Sequence, residues 1–234
     1  MNSSDIYIAS FDPGRKNFAF CVEKCSKSQL EVIENLPLSQ RYHDDGTPTN
    51  ELADILDQIY VNGEIVLHQN VNILSNPSDK AGIKVEQDVF HNLTAELNKH
   101  IEIWDKCSYF LIETQMSFGK KLNLPAVKIA QHICSYFVIK YGLSRQIIDF
   151  PSYHKTQILG APKDEGQPYK SGKKRYKAMD KPQRKKWAVD QAIHILELRD
   201  ETEILNNLQN KKKKDDMSDC LLMCQAGKYL YFVK

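Results

Sequence analysis

Carboxylates at the ends of apolar runs are the residues most able to do chemistry here. Asp12 closes the run Ile6 to Phe11 and precedes Pro13 and Gly14. Glu113 closes a second run, Cys107 to Ile112. Asp215, Asp216 and Asp219 follow the run Lys211 to Lys214 and precede an apolar stretch beginning at Cys220. On a helix, Asp216 and Asp219 are three apart and share a face, and Asp215 and Asp219, four apart, can do the same. Carboxylates gathered in one place repel one another and raise their own pKa values. A divalent cation removes that penalty, and a set of hard oxygen donors selects Mg²⁺ or Mn²⁺. Two such ions, roughly 3.5–4 Å apart, activate a water and stabilise the leaving oxygen in phosphodiester hydrolysis. Each acid also has an ordinary use. Asp12 suits a turn, Glu113 can start a loop, and Asp215 and Asp216 suit the positive end of a helix dipole. Taken singly, the ordinary use is the simpler one.

The elements that must position these acids follow from the pattern of apolar residues. Ile6 to Val22 predicts a β-hairpin turning at Pro13 and Gly14. Gln29 to Leu36 alternates enough to predict a third strand. A helix is expected over 51–60, capped by Thr49 or Asn50, then irregular chain over 61–79 around a short strand, Glu64 to His68. Val85, Val89, Leu93, Leu97, Ile101 and Trp104 recur at helical spacing. Cys107 to Glu113 predicts a strand, 126–141 a helix after Pro125, and 146–150 a strand. Together these predict a mixed α/β sheet flanked by helices. Beyond Pro151 come a short helix over 153–159, a Gly-, Pro- and Lys-rich loop over 160–182, helices over 183–198 and 201–208, and a last helix with an acidic first turn.

The chain has 234 residues, enough for one large domain with a substantial core. Hydrophobic content of 41% and charged content of 26% are ordinary for a globular protein. No apolar run is long enough to span a membrane, and Met1 to Asp5 lacks the features of a secretory signal, so an intracellular, soluble protein is expected. Disulfides are not expected there. Cys21/Cys25 and Cys220/Cys224 are each four apart, but no histidine lies near either pair, so structural zinc is not expected. Net charge is only +2, yet its distribution is uneven. Between Lys163 and Lys186, ten basic residues face three acids, with Tyr169 and Tyr176 interleaved. Such a segment suits a phosphate backbone without reading sequence; a solvated loop or a localisation signal has the same composition.

Three motifs occur in order: Ser10-Phe11-Asp12-Pro13-Gly14-Arg15-Lys16-Asn17, Leu111-Ile112-Glu113-Thr114-Gln115 and Lys213-Lys214-Asp215-Asp216-Met217-Ser218-Asp219. Together they resemble the Holliday junction resolvases of the RNase H-like superfamily, of the poxvirus and fungal mitochondrial type related to bacterial RuvC. The resemblance implies one RNase H-like nuclease domain over residues 1–234. Its C-terminal helix would carry catalytic acids, and a basic loop would be inserted around 160–182. It also implies Mg²⁺-dependent, structure-selective cleavage of four-way DNA junctions by paired symmetric nicks, leaving 5′-phosphate and 3′-hydroxyl ends. The carried-over metal ligands are Asp12, Glu113, Asp216 and Asp219, holding two Mg²⁺ ions for which Mn²⁺ can substitute. Asp215 takes a lesser part, and either Lys185 or Lys186 acts on the phosphate. Lys16, Lys120, Lys121, Lys173, Lys174, Arg175, Lys177, Arg184, Lys213 and Lys214 are candidates for DNA contact. The implied partners are branched DNA and a second copy of the chain, with no membrane and no organic cofactor. The helical stripes over 85–104 and 126–141 are candidates for the dimer face. The implied place of action is a site of DNA recombination such as a viral factory or the nucleus. Two other readings stay open: an RNase H-type or broader branched-DNA nuclease, and a junction-binding protein with weak or lost catalysis.

Overall fold

A computed structural model describes residues 5–76, 84–115, 123–168, 171 and 174–234. Strand β1, Asp5–Asp12, pairs antiparallel with β2, Phe18–Ser26, so that Asp12 lies opposite Ala19. The turn between them is tight. A Cβ on Gly14 would stand 2.4 Å from the Asn17 carbonyl oxygen, so the close approach that glycine permits here is to the chain itself. Strand β3, Glu64–Val71, extends the sheet antiparallel to β2. Strands β4, Cys107–Thr114, and β5, Gln146–Pro151, run parallel to β1 on its other side. The strand order is β3-β2-β1-β4-β5. This is the mixed α/β sheet expected, flanked by helices.

Strand alternation sends successive side chains to opposite faces. On one face Phe11, Phe18, Phe20, Phe110 and Trp104 form an aromatic core, closed by helices α3, Gln87–Asn98, α4, Ile101–Trp104, and α5, Leu124–Tyr141. Each such ring contributes about 1.5–3 kcal/mol by burial. Ile8, Ser10, Asp12, Leu111 and Glu113 follow the opposite parity along β1 and β4, which places them on the other face. There the sheet carries α9, Lys214–Phe232, with α2, Asn50–Val61, α6, Ser152–Ile158, and α7, Lys181–Leu198, against it. From Met217 to Tyr229, α9 is buried at every position except Asp219, as befits a helix apolar on nearly all sides. Gly227 lets it approach β4 closely, since a Cβ there would lie 2.6 Å from Leu111 Cδ1.

Three expectations change. Gln29 to Leu36 is not a strand. The chain forms a short helix α1, Lys27–Leu30, and then runs irregularly. Leu30 and Ile33 are buried three residues apart, and the main chain at Ile33 and Asn35 exchanges hydrogen bonds with Lys234. The sheet edge is taken by β3 instead. The stripe over 85–104 breaks into α3 and α4, where the Trp104 indole donates to the Leu97 carbonyl at 2.7 Å. The loop over 160–182 contains a hairpin, β6 Lys163–Gly166 with β7 Arg175–Ala178. Asp180 and Gln183 then close a capping box on α7. Helix α8, Thr202–Asn210, leads into α9. The Cys21, Cys25, Cys220 and Cys224 thiols are free and buried, and burial pushes those of Cys21, Cys25 and Cys220 upward.

Candidate active site

The register of the sheet brings the first two acids together. Phe11 pairs with Ile112, so Asp12 and Glu113 are neighbours at the same end of parallel β1 and β4. Their carboxyl groups are close enough to shift each other's ionisation. Helix α9 lies across this end, pinned to the sheet by two hydrogen bonds. Ser10 Oγ donates to the Cys220 carbonyl at 2.8 Å, and His68 Nε2 donates to the Met217 carbonyl at 2.9 Å. These carbonyls flank Asp219 and Asp216 in sequence, so the pinning sets where those side chains stand. Asp12, Glu113, Asp216 and Asp219 thereby meet on one face.

Lys155, on α6 just after β5, joins them although nothing in its sequence neighbourhood marks it. Its buried ammonium donates to Glu113 Oε1 at 2.9 Å and lies 3.0 Å from Asp219 Oδ2. Gln115 Nε2 donates to Glu113 Oε2 at 3.1 Å. The only sequence signal for Lys155 is its place: the turn of helix after the strand beside β4. Asn70, on β3, aligns with Ala19 and hence with Asp12 across the sheet, and its buried amide nitrogen has no hydrogen-bond partner among the described residues.

The electrostatics follow from this geometry. Burial, reinforced by Glu113, pushes the Asp12 carboxyl well above its ordinary value, and Lys155 only partly opposes it. Burial acts in the same direction on Glu113, but the Lys155 ammonium outweighs it and holds Glu113 below its ordinary value. The shifts run in opposite directions, so the neutral form is favoured at Asp12 and the charged form at Glu113. Burial, with Asp215 beside it, pushes Asp216 up to about 6. Asp219 is raised mainly by burial, against the pull of Lys155. Lys155 is disfavoured by burial, yet Glu113, Asp219 and Asp12 keep it charged.

The four acids offer only oxygen donors, and the position of Lys155 shows that a cationic group is accepted between two of them. The set fits a hard divalent ion. Among the described residues no three acidic, histidine or cysteine side chains already stand close enough to enclose a metal. Lys155 fills the space between Glu113 and Asp219, so an ion held by both would displace its ammonium.

The basic candidates separate. Lys185 lies at the site and pairs with Asp215, which that contact holds low against burial. Lys186 turns away, largely exposed and paired with Asp190 at 2.5 Å. Arg184 and Lys181 line a cavity of about 160 Å³ with Glu113, Lys155, Lys185 and Asp219. Lys16 is exposed in the β1–β2 turn, close in sequence to Asp12. Lys174, Arg175 and Lys177 are exposed on the β6–β7 hairpin, where Lys174 pairs with Glu165 at 3.4 Å. Lys213 caps α9 and Lys214 begins it. Lys120, Lys121, Lys173 and Tyr169 lie outside the described residues. No helix among the described residues is long and apolar enough to cross a membrane.

The chain is 33% identical over 244 residues to uncharacterized protein 170L of Invertebrate iridescent virus 6, an alignment covering 97% of this chain and 90% of that protein. It belongs to the 170L family. Uncharacterized protein 97L of Invertebrate iridescent virus 3 is 28% identical to this 170L-family chain over 225 residues, covering 94% of the chain and 98% of the viral protein. No family model matches the sequence. Among solved structures, Thermus thermophilus RuvC aligns with a TM-score of 0.49 at 11% identity, covering 96% of this chain and 95% of that one. The yeast mitochondrial Holliday junction resolvase aligns with a TM-score of 0.42 at 13% identity, covering 97% and 79%.

Proposed function

We propose that this protein is a Mg²⁺-dependent, structure-selective DNA endonuclease that resolves four-way junctions. The observation that carries the reading is the meeting of Asp12, Glu113, Asp216 and Asp219 on one sheet face with Lys155 as their buried cation. Four gathered carboxylates, one buried and three half-buried, repel one another across a single buried counter-charge, and a cation joining them relieves that repulsion. Asp12, Glu113, Asp216 and Asp219 would hold two Mg²⁺ ions, with Mn²⁺ able to substitute. The bound ions supply a water activated at neutral pH and charge neutralisation at the leaving oxygen.

The chain's own residues do the rest. Asp12 and Glu113, fixed on adjacent strands, set the position of the ligand set. Lys155 and Lys185 present ammonium groups to the phosphate and stabilise charge that develops on it. Arg184, Lys181 and the basic β6–β7 hairpin flank the cavity and hold the phosphate backbone by charge. Paired nicks on opposing strands require two sites related by a two-fold axis, which a homodimer provides. The apolar stripes of α3 and α5 are buried against the sheet, so those stripes serve the core. Val138, Ile139 and Leu143, at the C-terminal end of α5, remain exposed and are the surface offered to a second copy.

The test is incubation with labelled four-way junction, duplex, flap and RNA–DNA hybrid, with and without Mg²⁺, beside Asp12→Asn. Symmetric junction nicks that need Mg²⁺ and vanish in the variant are expected. Cleavage chiefly of hybrid would replace this reading with an RNase H-type activity. Junction binding with no cleavage would replace it with a binding role.

A further inference from the structure

A second cavity, of about 340 Å³, adjoins the one at the carboxylates and shares Thr156 and Arg184 with it. Its walls come from separate stretches of chain that are already fastened together. The Tyr42 hydroxyl donates to the Ile158 carbonyl at 2.9 Å, which fixes that ring as one wall. The 41–49 loop is tied to the first residue of β6, where the Lys163 amide donates to the Asp45 carbonyl at 2.6 Å. Gly160, at φ +72°, lets the chain pass against Pro48, where a Cβ would meet the proline ring at 2.6 Å. Tyr153 supplies a second aromatic surface. It is 54% exposed, and its ring is backed by His154 at 4.7 Å between centroids. Met179 adds an apolar wall, and the charged lining residues, Lys163 and Arg184, are both basic.

This lining is aromatic and apolar at the sides and cationic where it meets the carboxylate pocket. Its volume falls within the range of small-ligand sites and suits a single nucleobase with its sugar, not a base pair. Resting on the nuclease reading above, we propose that the cavity receives one unpaired nucleobase of the strand being cut. The base stacks on Tyr153, while Arg184 holds the phosphate between that nucleotide and the carboxylates. Aromatic stacking accepts any base, because every base has a π-face. Moving a base out of the helix costs least where pairing is already broken. The cavity therefore favours DNA with unpaired nucleotides over continuous duplex, and it contributes structure selectivity without sequence readout.

The experiment uses the full chain without divalent ions and a DNA duplex carrying one unpaired 2-aminopurine, beside the fully paired duplex. Binding of the wild type and of Tyr153→Phe should quench the 2-aminopurine. Tyr153→Ala should leave it unquenched and bind the unpaired-base DNA about tenfold more weakly, the loss of one base–aromatic stack, with paired-duplex affinity unchanged. Equal quenching and equal affinity in wild type and Tyr153→Ala would overturn the proposal. Cleavage of branched DNA by a wild type that shows no quenching would overturn this assignment alone. Failure to bind or cut any DNA would overturn the nuclease reading and the cavity's role with it.

Discussion

Helix α9 meets a charged cluster at each end, and the two are in different balance. Toward its C-terminal half, Glu23 on β2 accepts hydrogen bonds from Arg199 at 2.8 Å, Gln225 at 2.6 Å and Lys228 at 2.6 Å. Lys228 gives its remaining protons to the carbonyls of Ile59 and Asn62. Glu201 lies 3.5 Å from Arg199 on its other side, so two carboxylates face two cations. Burial pushes Glu23 up, but Arg199 and Lys228 outweigh it and keep it ionised. At the N-terminal end, four carboxylates face the single buried ammonium of Lys155. The first cluster is electrically complete and fastens α9 to β2. The second is short of positive charge, with the carboxyls of Asp12, Asp216 and Asp219 all raised. A chain selected only for stability has no use for the second arrangement. The contrast marks one end as a structural lock and the other as the place where the proposed ions would bind.

Breaking the lock should have the largest effect on folding. Glu23→Ala leaves Arg199 and Lys228 buried without their carboxylate, and should cost about 3–5 kcal/mol in denaturant unfolding. A shift below about 1 kcal/mol would show the network to be dispensable. At the other end, Lys155→Ala should lower junction cleavage about a hundredfold, the typical loss on removing one charge-stabilising group. It should also tighten apparent Mg²⁺ affinity, because the ammonium no longer contends for Glu113 and Asp219; weaker Mg²⁺ binding would contradict that placement.

The two ends also differ in the sign of their pH dependence. Asp12, Asp216 and Asp219 are raised in the folded chain, so their contribution is full below the ordinary carboxylate value of 3.8. For Asp216 it is lost as pH rises through about 6. Glu23 is lowered, so its contribution is present above 4.5 and lost as pH falls through its folded value. Without divalent ions, Asp216→Asn should therefore flatten the fall in melting temperature between pH 4 and about 6, and Mg²⁺ should restore the wild type at neutral pH. An Asp216→Asn profile that still falls in that window would count against the assignment. The smallest effect is expected from Lys186→Ala, which should leave both melting temperature and cleavage rate unchanged, while Lys185→Ala lowers the rate several-fold.

Much of the scaffold was legible because its signals are local. The hairpin over 6–22 alternates around a Pro-Gly turn, and Thr49, Pro125 and Gly142 mark helix ends as side-chain and backbone chemistry require. Gln29 to Leu36 misled because Leu30, Val32 and Leu36 mimic alternation, while Leu30 and Ile33 are buried at helical spacing beneath the C-terminal end of the chain. Glu64 to Val71 carries polar residues in a strand because His68 and Asn70 face the end of the sheet where the acids gather. The four acids were legible from their positions at the ends of strands and in the first turns of the last helix. Lys155 was not. A lysine in a short helix has no periodicity to mark it, and its burial arises only when β5 aligns beside β4. Glu23 was equally hidden, since its partners Arg199 and Lys228 are far along the chain.

The most direct measurement compares Asp219→Asn with Glu23→Gln in four-way junction cleavage with Mg²⁺, each rate normalised to the folded fraction measured under the same conditions. The account predicts that Asp219→Asn remains folded and loses cleavage by on the order of a thousandfold. It predicts that Glu23→Gln melts at a lower temperature yet cuts within a few-fold of the wild type per folded molecule. Full cleavage by folded Asp219→Asn, or loss of cleavage confined to folded Glu23→Gln, would contradict it.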